Sequence, residues 1–263
     1  MISLINKLTL PFTHYKYLLS QLAQREIKAR YKQSFIGYAW VILNPLAQLM
    51  VYSFVFSIVF RFPTNNIPYV VFLYAALLPW TLLSSSITAA TMSLVDNSSL
   101  LKKVSFPREL IPYASVLSKI VDFVFSALLF LGLCVLLRVP LSPSIILFLP
   151  LFGAQLLLTS GIALTLSAFN LFYRDIQYLT NLSLMLRMYM TPIVYPLSLV
   201  PQKYVWLYKL NPMVGIIEGY RSAIFGYPFE TTIIFWAIGV SIVVFLAGFI
   251  IFKRSERVFA DIV

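Results

Sequence analysis

Nine carboxylates, one histidine and one cysteine are all that this chain offers for acid–base, nucleophilic or metal chemistry. Glu26, Asp96, Glu109, Asp122, Asp175, Glu218, Glu230, Glu256 and Asp261 are scattered, with no DxD, HxxE or Ser/His grouping. An intramembrane enzyme acting on lipid-linked sugars needs an acid and a base gathered at one place, and this spacing argues against one. His14 and Cys134 stand alone, which leaves no CxxC pattern, no zinc pattern and no disulfide framework. A proton-coupled carrier needs Asp, Glu or His relays inside its spans. Asp122 is the only such candidate, and Lys119 sits three residues before it.

The cations are more informative. Arg25, Lys28, Arg30 and Lys32 run directly into a long apolar segment. Projected as a helix over residues 15–33, Tyr15, Leu18, Leu19, Leu22 and Ala29 share one face. Lys16, Gln21, Gln24, Arg25, Lys28 and Lys32 share the other, the pattern of a helix lying in a membrane interface. Glu26 and Arg30 drift onto the apolar side, four residues apart. A lipid anchor has no use for them there, so they point to a partner protein or an anionic head group. Arg187 falls in the middle of an apolar segment, where a charge costs at least about 2.5–3.5 kcal/mol. It needs a cavity, a carboxylate or an anionic substrate.

The elements that position these residues are membrane helices. The chain is 60% hydrophobic, 16% aromatic and 11% charged, whereas a soluble domain is about a quarter charged. Its net charge of +11 suits membrane surfaces and needs no nucleic acid. Spans are expected at about 38–60, 69–92, 114–137, 145–169, 176–197 and 230–252. With both termini inside, 13 of the Lys and Arg residues fall on inner segments and 5 on outer ones, as the positive-inside rule requires. Thr159, Ala163 and Ser167 make a small-residue row for close helix packing.

Two connections stand out. Residues 94–112, LVDNSSLLKKVSFPRELIP, read as a short helix over about 96–105 capped by Asp96 or Asn97. Leu100, Leu101 and Val104 beside Lys102 and Lys103 suit docking into a groove on another protein. Residues 198–229 are too polar to span and too apolar for water. Two short helices broken at Asn211-Pro212, dipping back into the bilayer, are expected there.

In order along the chain, REIKARYKQSFIGYAWVILNPL, NSSLLKKVSFPREL, FNLFYRDIQYL, TPIVYPLSLVP and NPMVGIIEGYRSAIFG resemble the ABC-2 type permeases of polysaccharide exporters. Those systems move O-antigen, capsule or teichoic acid. The resemblance implies an all-α polytopic membrane protein in a bacterial cytoplasmic membrane. It would have a cytoplasmic amphipathic interface helix (1–37), a six-span domain (38–252) and a basic cytoplasmic tail (253–263). It implies a homodimer with two copies of a separate ATPase, which would bind ATP and magnesium; this chain would carry no cofactor. No GxxxxGK[ST] occurs here, so the phosphate cradle of that motif cannot be built from this sequence. Leu100–Val104 would be the ATPase coupling helix and 198–229 the gate, with Glu218 and Arg221 paired in it. Arg25, Lys28 and Arg30 would meet the head group of a lipid-linked polysaccharide. Tyr52, Phe56 and Phe60 on one helix, and Tyr178, Met185, Arg187 and Tyr189 on another, would line its path. Arg174-Asp175 is a family signature, and physically a structural pair or helix cap. An ABC-2 permease for a small molecule or lipid is the alternative with the same fold.

Overall fold

The computed structural model describes residues 2–32, 37–59, 67–103 and 106–259. Phe60 and Val104, expected in the substrate path and the coupling helix, lie outside the described residues.

The chain is helical from end to end of these segments. α1 covers Ile2–Tyr31, and α2 covers Trp40–Ser53 and continues as a π-helix through Val59. α3 (Tyr69–Asp96), the short α4 (Ser98–Lys103), α5 (Leu110–Leu136) and α6 (Phe148–Phe172) follow. α7 (Ile176–Tyr189), α8 (Gln202–Leu210), α9 (Pro212–Phe225) and α10 (Thr231–Ser255) complete the order. Among the described residues, four segments are long and apolar enough to cross a bilayer: Tyr69–Asp96, Leu110–Leu136, Pro143–Phe172 and Thr231–Val258. The protein is therefore a multi-pass membrane protein.

α7 is shorter than expected. α7 has 14 residues, about 21 Å of helix at 1.5 Å per residue, against about 30 Å of hydrocarbon. The sequence reading carried this span on to residue 197. It stops at Tyr189 because Pro192 and Pro196 disfavour helix before them. Thr191 Oγ1 also closes the last turn by donating to the Arg187 carbonyl at 2.7 Å.

α3 is the centre of the bundle. Its most apolar stretch is 78% buried, against 22% for α5 and for α10. Around it, α6 and α10 touch backbone to backbone. A Cβ on Gly161 would lie 2.5 Å from the Val244 carbonyl oxygen, and one on Gly248 2.2 Å from that of Gly161. The small-residue row is buried beside this contact, with Thr159, Ala163 and Ser167 all fully covered.

Each end of the bundle has its own lock. At the α4 end, Leu94, Leu101, Ile111, Leu164, Phe252 and Phe259 form a second apolar core. The Lys253 ammonium bridges Glu109 at 2.7 Å and Glu256 at 2.9 Å. The Arg108 guanidinium donates to the Glu256 carbonyl at 2.7 Å. The basic tail is thus packed into the protein through Phe259.

At the other end, α8 and α9 break at Asn211-Pro212 as expected. Asn211 Oδ1 accepts from the Met213 amide at 3.1 Å, and Pro212 opens α9. Gly226, at φ 73°, ends it in the left-handed conformation. α9 is almost wholly buried, wedged against α3 and so close to α10 that a Cβ on Gly215 would lie 2.7 Å from the Ile233 carbonyl oxygen. α8 leaves Tyr204, Trp206, Leu207 and Leu210 exposed.

Candidate functional site

The described part of α1 runs alongside the start of α5 in the same direction. Leu22 and Ala23 pack with Ala114. One turn on, Glu26 accepts from Ser115 Oγ at 2.6 Å and Ser118 Oγ at 3.2 Å. Another turn on, Arg30 pairs with Asp122 and donates to Ser118 Oγ at 3.2 Å. Eight residues of α1 thus advance with eight of α5. The two charges that broke the amphipathic pattern are the ones turned toward α5, where hydroxyls and a carboxylate receive them. Ala29, placed on the apolar face by the projection, is exposed.

Beside this seam lies an open cavity of about 560 Å³, bordered by the end of α1 and by α2, α3, α5 and α7. Arg30, Lys119 and Asp122 stand on one wall, with the Lys119 ammonium 3.7 Å from the Asp122 carboxylate. Thr81, Ser84, Ser85 and Thr88 of α3 form a second wall, and Asn44 and Gln48 of α2 with Asn181 of α7 form the rest. Spacings of three and four residues put each set on one helix face. Trp40 adds a ring at the rim. Pro45, inside α2, has no amide to pair with the Val41 carbonyl, which adds an acceptor close to this lining.

A lining of this kind offers hydroxyls, amides and two rings, Trp40 and Phe123, to a passing hydroxylated molecule, and two cations against one carboxylate to an anion. Among the described residues, no group of three His, Cys, Asp or Glu is placed to hold a metal ion.

Of the residues chosen from sequence, Arg30, Lys119 and Asp122 line this cavity, and the other proposed path and entrance residues are placed elsewhere. Arg25 hydrogen-bonds Asn97 Oδ1, while Asn97 Nδ2 holds the Ser93 carbonyl at 2.8 Å. Asn97 therefore ties α1 to the end of α3 and does not cap α4 with its side chain. Lys28 is exposed. Tyr52 and Phe56 are half-buried with ring centroids 6.4 Å apart, and the Tyr52 hydroxyl lies 4.0 Å from Met188 Sδ. Tyr178, Met185 and Tyr189 line up on the outer face of α7, each more than half exposed in the single chain. Arg187 faces a different, apolar groove. Asp175 stands at the start of α7 with no side-chain cap hydrogen bond; Asn170 Oδ1 accepts from the Gln177 amide at 3.1 Å instead.

In α4, Leu101 is buried and Leu100 is half-buried against the α1–α5 cluster. Lys102 and Lys103 form the exposed side. The leucines that sequence assigned to docking therefore anchor α4 to its own chain.

Glu218 and Arg221 pair at 2.9 Å as expected, but the arginine has a larger part. It is 1% exposed, donates to the Pro192 and Ile193 carbonyls at 2.8 Å each, and lies 3.7 Å over the Phe72 ring. Tyr69 OH donates to the adjacent Val194 carbonyl at 2.6 Å. Together they fasten the turn after α7 to α3 and α9. Beyond that turn, Tyr195 OH meets Tyr208 OH at 3.0 Å. Burial, reinforced by that hydrogen bond, raises the Tyr195 phenol above its ordinary range.

Sequence reading missed the α3 stripe and the Asn44, Gln48 and Asn181 set. The signal was there: polar side chains recurring at helical spacing inside apolar spans.

Residues 17–225 match the ABC-2 type transporter family. O-antigen export system permease protein RfbA of Klebsiella pneumoniae is 32% identical over 250 residues, covering 93% of this chain and 94% of the relative. A protein of the same name from Myxococcus xanthus is 32% identical over 250 residues, covering 94% and 95%. Polysialic acid transport protein KpsM of Escherichia coli is 24% identical over 253 residues, covering 94% and 96%.

Proposed function

Because this chain belongs to the ABC-2 type transporter family, we propose that it is the membrane-spanning permease subunit of an ATP-driven exporter of a lipid-linked polysaccharide. The observation that carries the reading is the polar cavity inside an otherwise apolar bundle. A glycan crossing about 30 Å of hydrocarbon must exchange its water for other hydrogen-bonding groups. The α3 hydroxyl stripe and the Asn and Gln side chains supply them. Names of relatives over nearly the full length, O-antigen export and polysialic acid transport, point to the same cargo class.

In this reading α2 and α7 are the two short crossings of a six-span subunit with both termini in the cytoplasm of a bacterium. Arg30 and Lys119 meet the anchor's phosphate at the cavity wall, and Arg25 and Lys28 lie along the approach. Two copies pair so that the exposed α7 face, with Tyr178, Met185 and Tyr189, and the α2 ring pair Tyr52 and Phe56 border the path. Sugar C–H faces slide over such rings without a fixed register. A separate ATPase, two copies per dimer, presses on α4 through Lys102 and Lys103. α8 and α9 form the exit gate, with Glu218 and Arg221 holding α9 to the turn after α7.

The test is removal of the chain from its host, followed by complementation with wild type or with S84L/S85L, which fills the α3 wall. Loss of surface polymer, with lipid-linked polymer trapped inside, is expected for both the deletion and the filled variant. Normal surface polymer in the deletion strain would overturn the reading.

A further inference from the structure

Arg187 faces a groove of about 470 Å³ between α7 and the α3, α6 and α10 helices, separate in its lining from the polar cavity except for Leu184. The groove is walled by apolar side chains, Leu83, Ile87, Leu158, Ile162 and Val244 among them. Along α7 it extends from Ile176 to Arg187, about 16 Å at 1.5 Å per residue. It opens on the outside of the bundle, where Leu179 is 57% exposed.

Arg187 is its one cation. Among the described residues no carboxylate lies within ion-pair reach of Arg187, whereas Arg30, Lys119, Arg221 and Lys253 each have one. A membrane-level charge persists only where something offsets it. Among the described residues none supplies it here, which leaves the surroundings to do so.

We propose that this groove seats one hydrocarbon chain of an anionic phospholipid from the surrounding bilayer, with its head-group phosphate on the Arg187 guanidinium. The length fits: about 16 Å of trough takes most of one acyl chain, which fills about half of the roughly 30 Å hydrocarbon thickness. The chemistry fits also. An apolar trough holds the tail, and a guanidinium with fork geometry takes phosphate oxygens in paired hydrogen bonds. The lipid serves as a filler that lets α7 stand apart from α6 and α10 without an empty space in the membrane.

The experiment reads lipid occupancy, so its outcome is independent of what the protein exports. Full-length protein is reconstituted in nanodiscs of equal parts phosphatidylcholine and phosphatidylglycerol, released, and its retained lipid identified by native mass spectrometry. Wild type is expected to retain phosphatidylglycerol in preference to phosphatidylcholine. R187Q is expected to lose about ten-fold or more of that retention, and R187K to keep most of it. V244F, which narrows the groove and leaves Arg187 in place, is expected to lose it as well. Arg187 is exposed, so R187Q folds; an unchanged elution profile and melting temperature check this. Retention in R187Q and V244F equal to wild type would overturn the proposal, as would equal retention of the two lipids. Displacement of phosphatidylglycerol by undecaprenyl phosphate added at the same mole fraction would also overturn it, by naming a different occupant.

Discussion

Replacing Arg221 by Met tests whether one buried guanidinium sets the geometry of the α8–α9 end of the bundle. The substitution keeps much of the volume and removes every donor. Two carbonyls then lose their partners: those of Pro192 and Ile193, both in buried residues, each now held at 2.8 Å. An orphaned buried acceptor costs about 1–3 kcal/mol, so the pair costs about 2–6 kcal/mol. The stacking on Phe72 at 3.7 Å is a desolvated cation–π contact of about 2 kcal/mol. Against these stands relief from burying a charge, which offsets several kcal/mol. Glu218 adds little, because its side chain is 27% exposed and recovers water when released. The net expectation is a loss of about 3 kcal/mol. For a chain of this size that is a fall of about 6–10 °C in melting temperature, measured on detergent-purified protein by loss of the monodisperse elution peak. R221K, which cannot reach both carbonyls with the same fork, should fall between Met and wild type. E218Q should melt within about 2 °C of wild type. If R221M melts as wild type does while E218Q does not, the latch on the 190–196 turn is wrong and the exposed ion pair is what matters.

Three further outcomes follow from the packing. G161L should sharply reduce folded protein in the membrane, since a Cβ there already meets backbone of α10 at 2.5–2.7 Å; G153A, with nothing within 4 Å of its new methyl, should gain up to about 1 kcal/mol of helix propensity. L101D should lower the amount of folded permease by itself, because Leu101 is only 5% exposed within the α4-end core, whereas K102E/K103E should leave folding intact and weaken co-purification with the proposed partner ATPase. The charge-swapped pair R30D/D122R should recover more folded protein than either single change, because the two side chains face each other across α1 and α5; equal damage in all three would refute that pairing.

Much of the frame was readable from the chain. The four long helices start and stop within a few residues of the expected spans, because apolar runs and proline breaks are local signals. Asn211-Pro212 and Gly226 marked the ends of α9 through side-chain capping and left-handed backbone, which also act within a few residues. α7 ends short of the expected residue 197 because Pro192 and Pro196 disfavour helix in the residues before them.

What the sequence hid was direction around each helix, and the charges show why. Glu26 and Arg30 looked like faults on an apolar face until α5 supplied Ser115, Ser118 and Asp122, about 90 residues later in the chain. Leu101 looked like a docking residue until Leu94, Leu164 and Phe252 covered it. In water, an amphipathic stripe tells inside from outside because the solvent accepts only polar groups. In a bilayer, lipid and protein interior are equally apolar, so an apolar residue carries no such information. A polar or charged one does: it must be met by something, and Glu26, Arg30, Asp122 and the α3 hydroxyl stripe mark either a contact between distant helices or the wall of a cavity. Reading a membrane protein of this kind therefore begins with its least typical residues. Arg187 is the case where no carboxylate among the described residues answers the charge, and so the place where the surroundings must.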